Sequence, residues 1–375
     1  MARGSRRQPA AGPLQAVLPL PERPDSEPVP PPAAEESPGR PGPRKLRGLA
    51  AQRARAPIRE TARTTYRPLF SKSVLNENPN RDLPFYWTIN PYRGCEIGCV
   101  YCYARYTHEF MDHRDPADFS RKIYVKVDAP AVLREELKKR VLAGRPVTIG
   151  TATDPYQPAE RRFQVTRRIL ETLSGQPGLD LSITTKSPLV LRDIGLLKRI
   201  HRHAPLKVNV SLITMSPRLS RLLDPGAPLP ARRLRTIARL AEAGIDVNLF
   251  VMPILPGITD GRGEIEALLA SAREAGAVGA YGNVLHLRGA DRRSFWPVLR
   301  KHFPHLLGLY EDYYGSAPHP PDDYRRRISD LFGRIKKAAG FREGPAKVYE
   351  PLPGDQMNLG LSEESPPARQ AVLEV

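Results

Sequence analysis

Three cysteines fall within eight residues, as Cys95-x-x-x-Cys99-x-x-Cys102 in the run NPYRGCEIGCVYCYAR, and the 375-residue chain has no others. A chain that keeps no further thiol is not using cysteine for packing or bracing. Three thiolates on one short loop can converge on a soft-metal centre. A four-iron cluster is normally held by four thiolates. With three, one iron keeps an open position, and open positions are where metal sites do chemistry. The competing reading is a structural zinc site with His108 or His113 as the fourth ligand. Yet this spacing, with Tyr101 just before the last cysteine, is not a zinc-finger spacing. A disulfide leaves an odd cysteine. A thioredoxin-type pair at Cys99 and Cys102 leaves Cys95 without a role.

The elements that must hold this loop can be read from the alternation of strand-like and helix-like patterns, the signal of a parallel sheet wrapped by helices. Strand one is expected at 84–90, running directly into the cysteine loop, and strand two at 147–151. Strands three to six follow at 181–185, 207–213, 247–254 and 282–287. Helices are expected around 165–173, 189–202 and 231–243, the last ended by Gly244. Segments 122–127 and 131–142 fit an extra strand and helix between strands one and two. Six such units suggest an α/β fold, an incomplete (β/α)6 TIM-like barrel. In barrels the active site gathers on the loops after the strands. The cysteine loop follows strand one, and a second run, TATDPYQPAER at 151–161, follows strand two, so both fall on one face.

The CxxxCxΦC loop resembles the signature of the radical SAM superfamily. With TDPYQP-x-E it is similar to the spore-photoproduct-lyase-like branch, over roughly Tyr66 to Phe341. The resemblance implies the partial barrel of the radical SAM type, a 4Fe–4S cluster and S-adenosylmethionine (SAM). It implies that the open iron binds the amino and carboxylate groups of SAM. One-electron reduction then yields methionine and a 5′-deoxyadenosyl radical that abstracts hydrogen from a substrate. The cofactors carry the difficult step, while the protein positions reactants and excludes water. An electron donor such as flavodoxin or ferredoxin is implied as well.

Residue by residue, the resemblance makes Cys95, Cys99 and Cys102 the cluster ligands. Tyr101 stands where the family's aromatic packs near the adenine, or is simply a packed loop tyrosine. Thr153 and Asp154 fall where the superfamily holds the SAM amino group, although Asp154 before Pro155 also suits a turn. Lys186, ending strand three, would meet the SAM carboxylate, and Ser211 on strand four the ribose or carboxylate. Asn209 shares the face of Ser211 by two-residue periodicity. Ordinary strand-end polarity is the plain alternative for these three. Spore photoproduct lyase uses an additional cysteine as hydrogen donor, and this chain has no fourth. Tyr156 is the nearest substitute by sequence. His286 and Arg288, leaving strand six, face the substrate or cap a helix.

The net charge is +18. The first sixty residues hold eleven Lys and Arg against six Asp and Glu, so most of the excess lies in the body. Polyanions, nucleic acid foremost, are the partners such a charge attracts. Arg pairs and triplets at 161–162, 167–168, 232–235, 292–293 and 325–327 carry much of it, and solvated helix faces are the bland account. The substrate class is therefore left between nucleic acid, protein and a small molecule. The alternative outside radical chemistry is a zinc-containing nucleic-acid-binding protein.

Residues 1–60 hold 13 of the 41 prolines and are expected to form a disordered Pro/Arg-rich tail with a basic end. Residues 61–290 form the partial-barrel core, 291–341 a helical C-terminal cap, and 342–375 an extended or disordered tail. The aromatics Phe295, Trp296, Phe303, Tyr310, Tyr313 and Tyr314 suit core packing of that cap, with base stacking as the functional alternative. No apolar run reaches membrane-spanning length and no secretory signal opens the chain. With free thiols as well, a cytoplasmic, membrane-free enzyme is expected.

Overall fold

A computed structural model describes residues 49–341, apart from 53–54 and 81–82. Most of the expected N-terminal tail, up to residue 48, and the C-terminal stretch from 342 lie outside the described residues.

The strands, in chain order, are β1 (Arg59–Glu60), β2 (Thr65–Leu69), β3 (Asn76–Glu77), β4 (Trp87–Ile89), β5 (Tyr92–Arg93) and β6 (Lys122–Lys126). They continue with β7 (Val147–Ile149), β8 (Leu181–Thr185), β9 (Leu206–Ser211), β10 (Asp246–Ile254) and β11 (Gly279–Val284). The main sheet runs β11-β10-β9-β8-β7-β4-β3. Six of these, β4 and β7 to β11, pair in parallel and in chain order. Only β3 is antiparallel. The ends β3 and β11 do not meet, so the barrel is open, as the six expected units imply.

Residue alternation decides which face the helices cover. Leu181 and Ile183 of β8, Val208 and Val210 of β9, and Val247 and Leu249 of β10 pack in the main core. Ile169, Leu173, Leu197, Ile237 and Leu240 from the intervening helices meet them there. Each such side chain contributes about 1.5–3 kcal/mol on burial. The opposite face is polar. Thr148 Oγ1 and Ser182 Oγ lie 2.7 Å apart. Asn209 donates to Thr184 Oγ1 at 3.2 Å and accepts from Asn248 Nδ2 at 2.9 Å.

Helix boundaries follow capping chemistry. Ser216 accepts from the Leu219 N–H ahead of Pro217–Leu223. Helix Pro230–Glu242 starts on proline. It ends at Gly244, whose φ of +77° lets Ile245 N–H return to the Leu240 carbonyl. The single helix expected at 189–202 is a 3-10 turn, Pro188–Asp193, followed by Ile194–His201. Ser187 accepts from Leu189 N–H at the start of that turn.

The segment expected as an extra strand at 122–127 is β6, and it belongs to a second sheet in the order β1-β2-β6-β5. Tyr92 of β5 turns away from the barrel directly after β4 and pairs with Val125. β7 therefore takes the place beside β4. Within the expected C-terminal cap, helices Ala290–His302 and Leu307–Tyr314 bring Phe295, Leu299, Tyr310 and Tyr314 onto the cysteine end of the barrel. Helix Asp322–Ala338 instead packs Ile328, Phe332 and Ile335 into the main core. Phe332 lies so close to Gly282 of β11 that an added Cβ would sit 2.7 Å from its ring.

Candidate active site

The cysteine loop leaves β5 through Gly94, whose φ is +85°. A Cβ there would come within 2.9 Å of the Phe119 and Lys122 carbonyls, so glycine alone fits. Distant segments then fix the loop's shape. Arg105, 4% exposed, donates to the carbonyls of Gly98 at 3.1 Å and Cys99 at 2.7 Å. Its other terminal nitrogen reaches the Pro116 carbonyl. The Glu96 carboxylate accepts from Tyr66 Oη at 2.8 Å and from the Ala159 N–H at 2.7 Å. Gly226 N–H donates to the Ile97 carbonyl, and Val100 N–H to that of Leu223, both at 2.9 Å.

The loop after β7 grips the cysteine loop from the other side. Thr153 Oγ1 donates to the Gly94 carbonyl at 2.7 Å and accepts from Gln157 Nε2 at 2.8 Å. Asp154 is the hinge of the arrangement. Its Oδ1 accepts from Thr185 Oγ1 at 2.6 Å and Tyr156 N–H at 2.9 Å, and its Oδ2 from Lys186 N–H at 2.7 Å. Burial pushes the Asp154 carboxyl up, and these donors pull against it. Its backbone N–H and that of Ile97 face the sulfur of Cys95. The thiol is nevertheless pushed up to about 12, chiefly by burial and then by the Asp154 charge.

A charged cluster lies under the second cysteine. Tyr101 Oη donates to Asp224 Oδ1 at 2.5 Å, and Arg233 donates to Asp224 Oδ2 at 3.0 Å. Arg233 also binds the Ser211 carbonyl at 3.0 Å and the Pro228 carbonyl at 2.8 Å. Burial alone would raise Asp224, but Lys186 foremost, and Arg233, hold it below the usual carboxylate range. Burial likewise opposes the Lys186 charge, and Cys99 and then Asp224 overcome it. The Lys186 ammonium stands 5.7 Å from the centre of the Tyr101 ring.

The structure thus gathers Cys95, Cys99, Cys102, Tyr101, Thr153, Asp154 and Lys186. The hydrogen-bonding side-chain groups of Thr153 and Asp154 are occupied by the fold, the turn-setting alternative included. Asn209 is engaged in the polar ladder between β8 and β10, and Ser211 is buried beside Arg233 with its carbonyl engaged. Tyr156 does not join them: its fully buried side chain belongs to the main core, near Asp193 and Glu160. Asp224 escaped the sequence reading, and Arg233, counted there in the basic block at 232–235, is buried rather than part of a solvated or polyanion-binding face. Arg233 did leave a signal, since it shares the apolar stripe of Ile237 and Leu240 at helical spacing.

Both candidate zinc histidines are committed elsewhere. His108 Nε2 binds the Lys122 carbonyl at 2.8 Å, and burial pushes its pKa down to about 3. His113 Nε2 meets the Tyr124 hydroxyl at 2.6 Å. Among the described residues no three His, Cys, Asp or Glu side chains gather closely enough to hold a single metal ion. Phe295, Tyr310 and Tyr314 are fully buried, which makes them packing residues. Arg288 N–H donates to Asp291 at 3.0 Å, the helix-capping alternative. His286 is partly exposed, with its ring 4.7 Å from that of His319.

Comparison with known proteins agrees with this geometry. Residues 89–270 match the model of the radical SAM superfamily. An uncharacterised protein of Mycobacterium tuberculosis is 37% identical over 300 residues, covering 79% of this chain and 88% of its own length. One from Methanocaldococcus jannaschii is 30% identical over 260 residues, covering 69% and 90% respectively. Spore photoproduct lyase, in a structure with bound AdoMet and dinucleoside spore photoproduct, shares the fold. Its TM-score is 0.57 at 15% identity, over 81% of this chain and 85% of that one. The chain belongs to the radical SAM superfamily. It is an enzyme of that superfamily, whose members use a 4Fe–4S cluster and SAM. No helix among the described residues is long and apolar enough to cross a membrane.

Proposed function

We propose that Cys95, Cys99 and Cys102 hold the cluster, that Lys186 and the loop tied down by Asp154 bind SAM, and that the substrate is a nucleic acid. The single observation that carries the cofactor reading is the set of three thiols on one braced loop, with backbone N–H groups of Ile97 and Asp154 facing Cys95 and that of Ala104 facing Cys102. Donors aimed at sulfur favour the thiolate that iron requires, and such hydrogen bonds tune cluster potential. A thiol that burial holds protonated is deprotonated when it coordinates a metal.

When bound, the cluster and SAM supply the 5′-deoxyadenosyl radical that begins hydrogen abstraction. The protein's own work is to orient and exclude. Lys186 offers a positive charge for a carboxylate. Tyr101, fixed by Asp224, presents its ring beneath that charge. Leu285, Leu287, Phe295 and Tyr310 shield the cysteine end from water. The net charge of +18 and the fold shared with an enzyme seen with a dinucleoside support nucleic acid as the substrate class. Tyr156 has no part in this reading, because its side chain lies in the main core.

The test is anaerobic reconstitution with iron and sulfide, followed by EPR of the reduced protein with and without SAM. A four-iron signal that shifts on adding SAM is expected, and it should vanish in Cys102→Ala. A colourless zinc-loaded protein, or a cluster indifferent to SAM, would overturn the cofactor assignment.

A further inference from the structure

Beside the barrel mouth, outside the site, lies a groove of about 390 Å³. Arg161, Arg232, Arg235 and Arg239 line it over an apolar floor that includes Leu189 and Leu191. Its walls touch the active site along the chain at two points. Pro188 of the groove follows two residues after Lys186, and Arg232 directly precedes the buried Arg233.

The arginines here differ from their neighbours in how they are paired. Arg167 and Arg192, on adjoining turns, are committed to Asp193 and Glu160. In the groove, Arg239 reaches Glu242 at 3.2 Å, at the far end. Among the described residues, Arg161, Arg232 and Arg235 have no carboxylate partner. Arg232, Arg235 and Arg239 recur at helical spacings of three and four, where like charges repel. Their stripe spans about 10 Å along the helix axis. The face of the same helix that carries Arg233, Ile237 and Leu240 is buried, so the stripe points outward.

We infer that this groove is the track for the phosphodiester backbone of a nucleic-acid strand, leading it to the barrel mouth. The guanidiniums neutralise consecutive phosphates, and the leucine floor receives sugar or base edges. A flat anionic membrane would meet the rim but not that floor. The inference rests on the nucleic-acid reading above and adds where the strand lies.

The test uses the full chain with its cluster reconstituted and a fluorescein-labelled single strand of about 16 nucleotides, long enough for one binding site. Binding is followed by anisotropy between about 50 and 200 mM salt. The triple variant Arg161→Ala/Arg232→Ala/Arg235→Ala should lower the slope of log K against log salt by about two, while its EPR signal stays unchanged. The charge-matched variant Arg325→Ala/Arg326→Ala/Arg327→Ala, on another helix, should keep the slope. Equal losses in the two variants, or none in the first, would overturn the groove and leave the nucleic-acid reading standing. Displacement of the strand by an equimolar amount of inorganic triphosphate would overturn the backbone assignment in favour of a small polyphosphate. No binding by the wild-type chain at the lowest salt would remove the nucleic-acid reading and the groove together.

Discussion

The Arg233 guanidinium meets the Asp224 carboxylate at 3.0 Å, with the two side chains 0% and 1% exposed. Removing one partner of a buried pair leaves an uncompensated charge, at a cost of about 3–5 kcal/mol. Arg233→Met should therefore lower the urea midpoint sharply. The double variant Arg233→Met/Asp224→Leu should recover part of the loss. Equal stability of Arg233→Met and wild type would mean that Lys186 alone suffices to balance Asp224.

Asp154 joins the loop after β7 to the end of β8 by accepting from Thr185 Oγ1 and Lys186 N–H, and accepts a third hydrogen bond from Tyr156 N–H within its own loop. Asp154→Ala leaves those donors without their partner and frees Lys186 to move. Losing such a supporting contact typically weakens ligand binding by about 10–100-fold. Equilibrium dialysis with labelled SAM should record that loss while iron per chain stays near the wild-type level. Unchanged SAM affinity would refute the positioning role.

Gly226 sits against the cysteine loop with no room for a methyl group. An added Cβ would lie 2.4 Å from the Glu96 carbonyl oxygen and 2.9 Å from that of Ile97. Both obstacles are backbone, so they cannot rotate away. Gly226→Ala should destabilise the fold by about 1–3 kcal/mol, the usual cost of overpacking. It should also reduce cluster occupancy on reconstitution, read from the iron content. Full occupancy with normal stability would show that the loop tolerates displacement.

His108 is buried as the neutral form, with Nε2–H donating to the Lys122 carbonyl. Its pKa is about 3 against an ordinary 6.5. Between those values the unfolded chain binds a proton that the native state refuses, so stability rises with pH. The contribution is complete above 6.5 and is lost progressively as pH falls toward 3. His108→Gln removes the titration and keeps a donor. Between about pH 7 and pH 5, wild type should lose about 2 kcal/mol more than the variant in urea melts. Parallel losses would assign the acid sensitivity to other groups.

Much of this was legible in the sequence, for reasons that differ by element. The parallel strands announce themselves because Leu181, Ile183, Val208 and Val210 alternate with Ser182, Thr184, Asn209 and Ser211, and that alternation is local. The cysteine spacing is local too. The strand at 122–126 was readable but its sheet was not, since the pairing of Tyr92 with Val125 is a tertiary choice. The contact between Tyr101 and Asp224 spans 123 residues. No periodicity reports such a contact, and a helix rich in arginine hides which one is buried. Thr153 and Asp154 were singled out by resemblance, but their hydrogen-bond partners were set by the fold.

The braces on the cysteine loop are spread along the chain: Tyr66, Arg105, Gln157, Ala159, Leu223 and Gly226 all touch it. During synthesis the three thiols leave the ribosome long before the later braces exist. At that moment the loop lacks the contacts that give it its shape. On the proposed ligation, the socket for the cluster is complete only once Leu223 and Gly226 have been made and folded back. A chain cut off before them would carry all three thiols and lack two of the contacts that shape their loop.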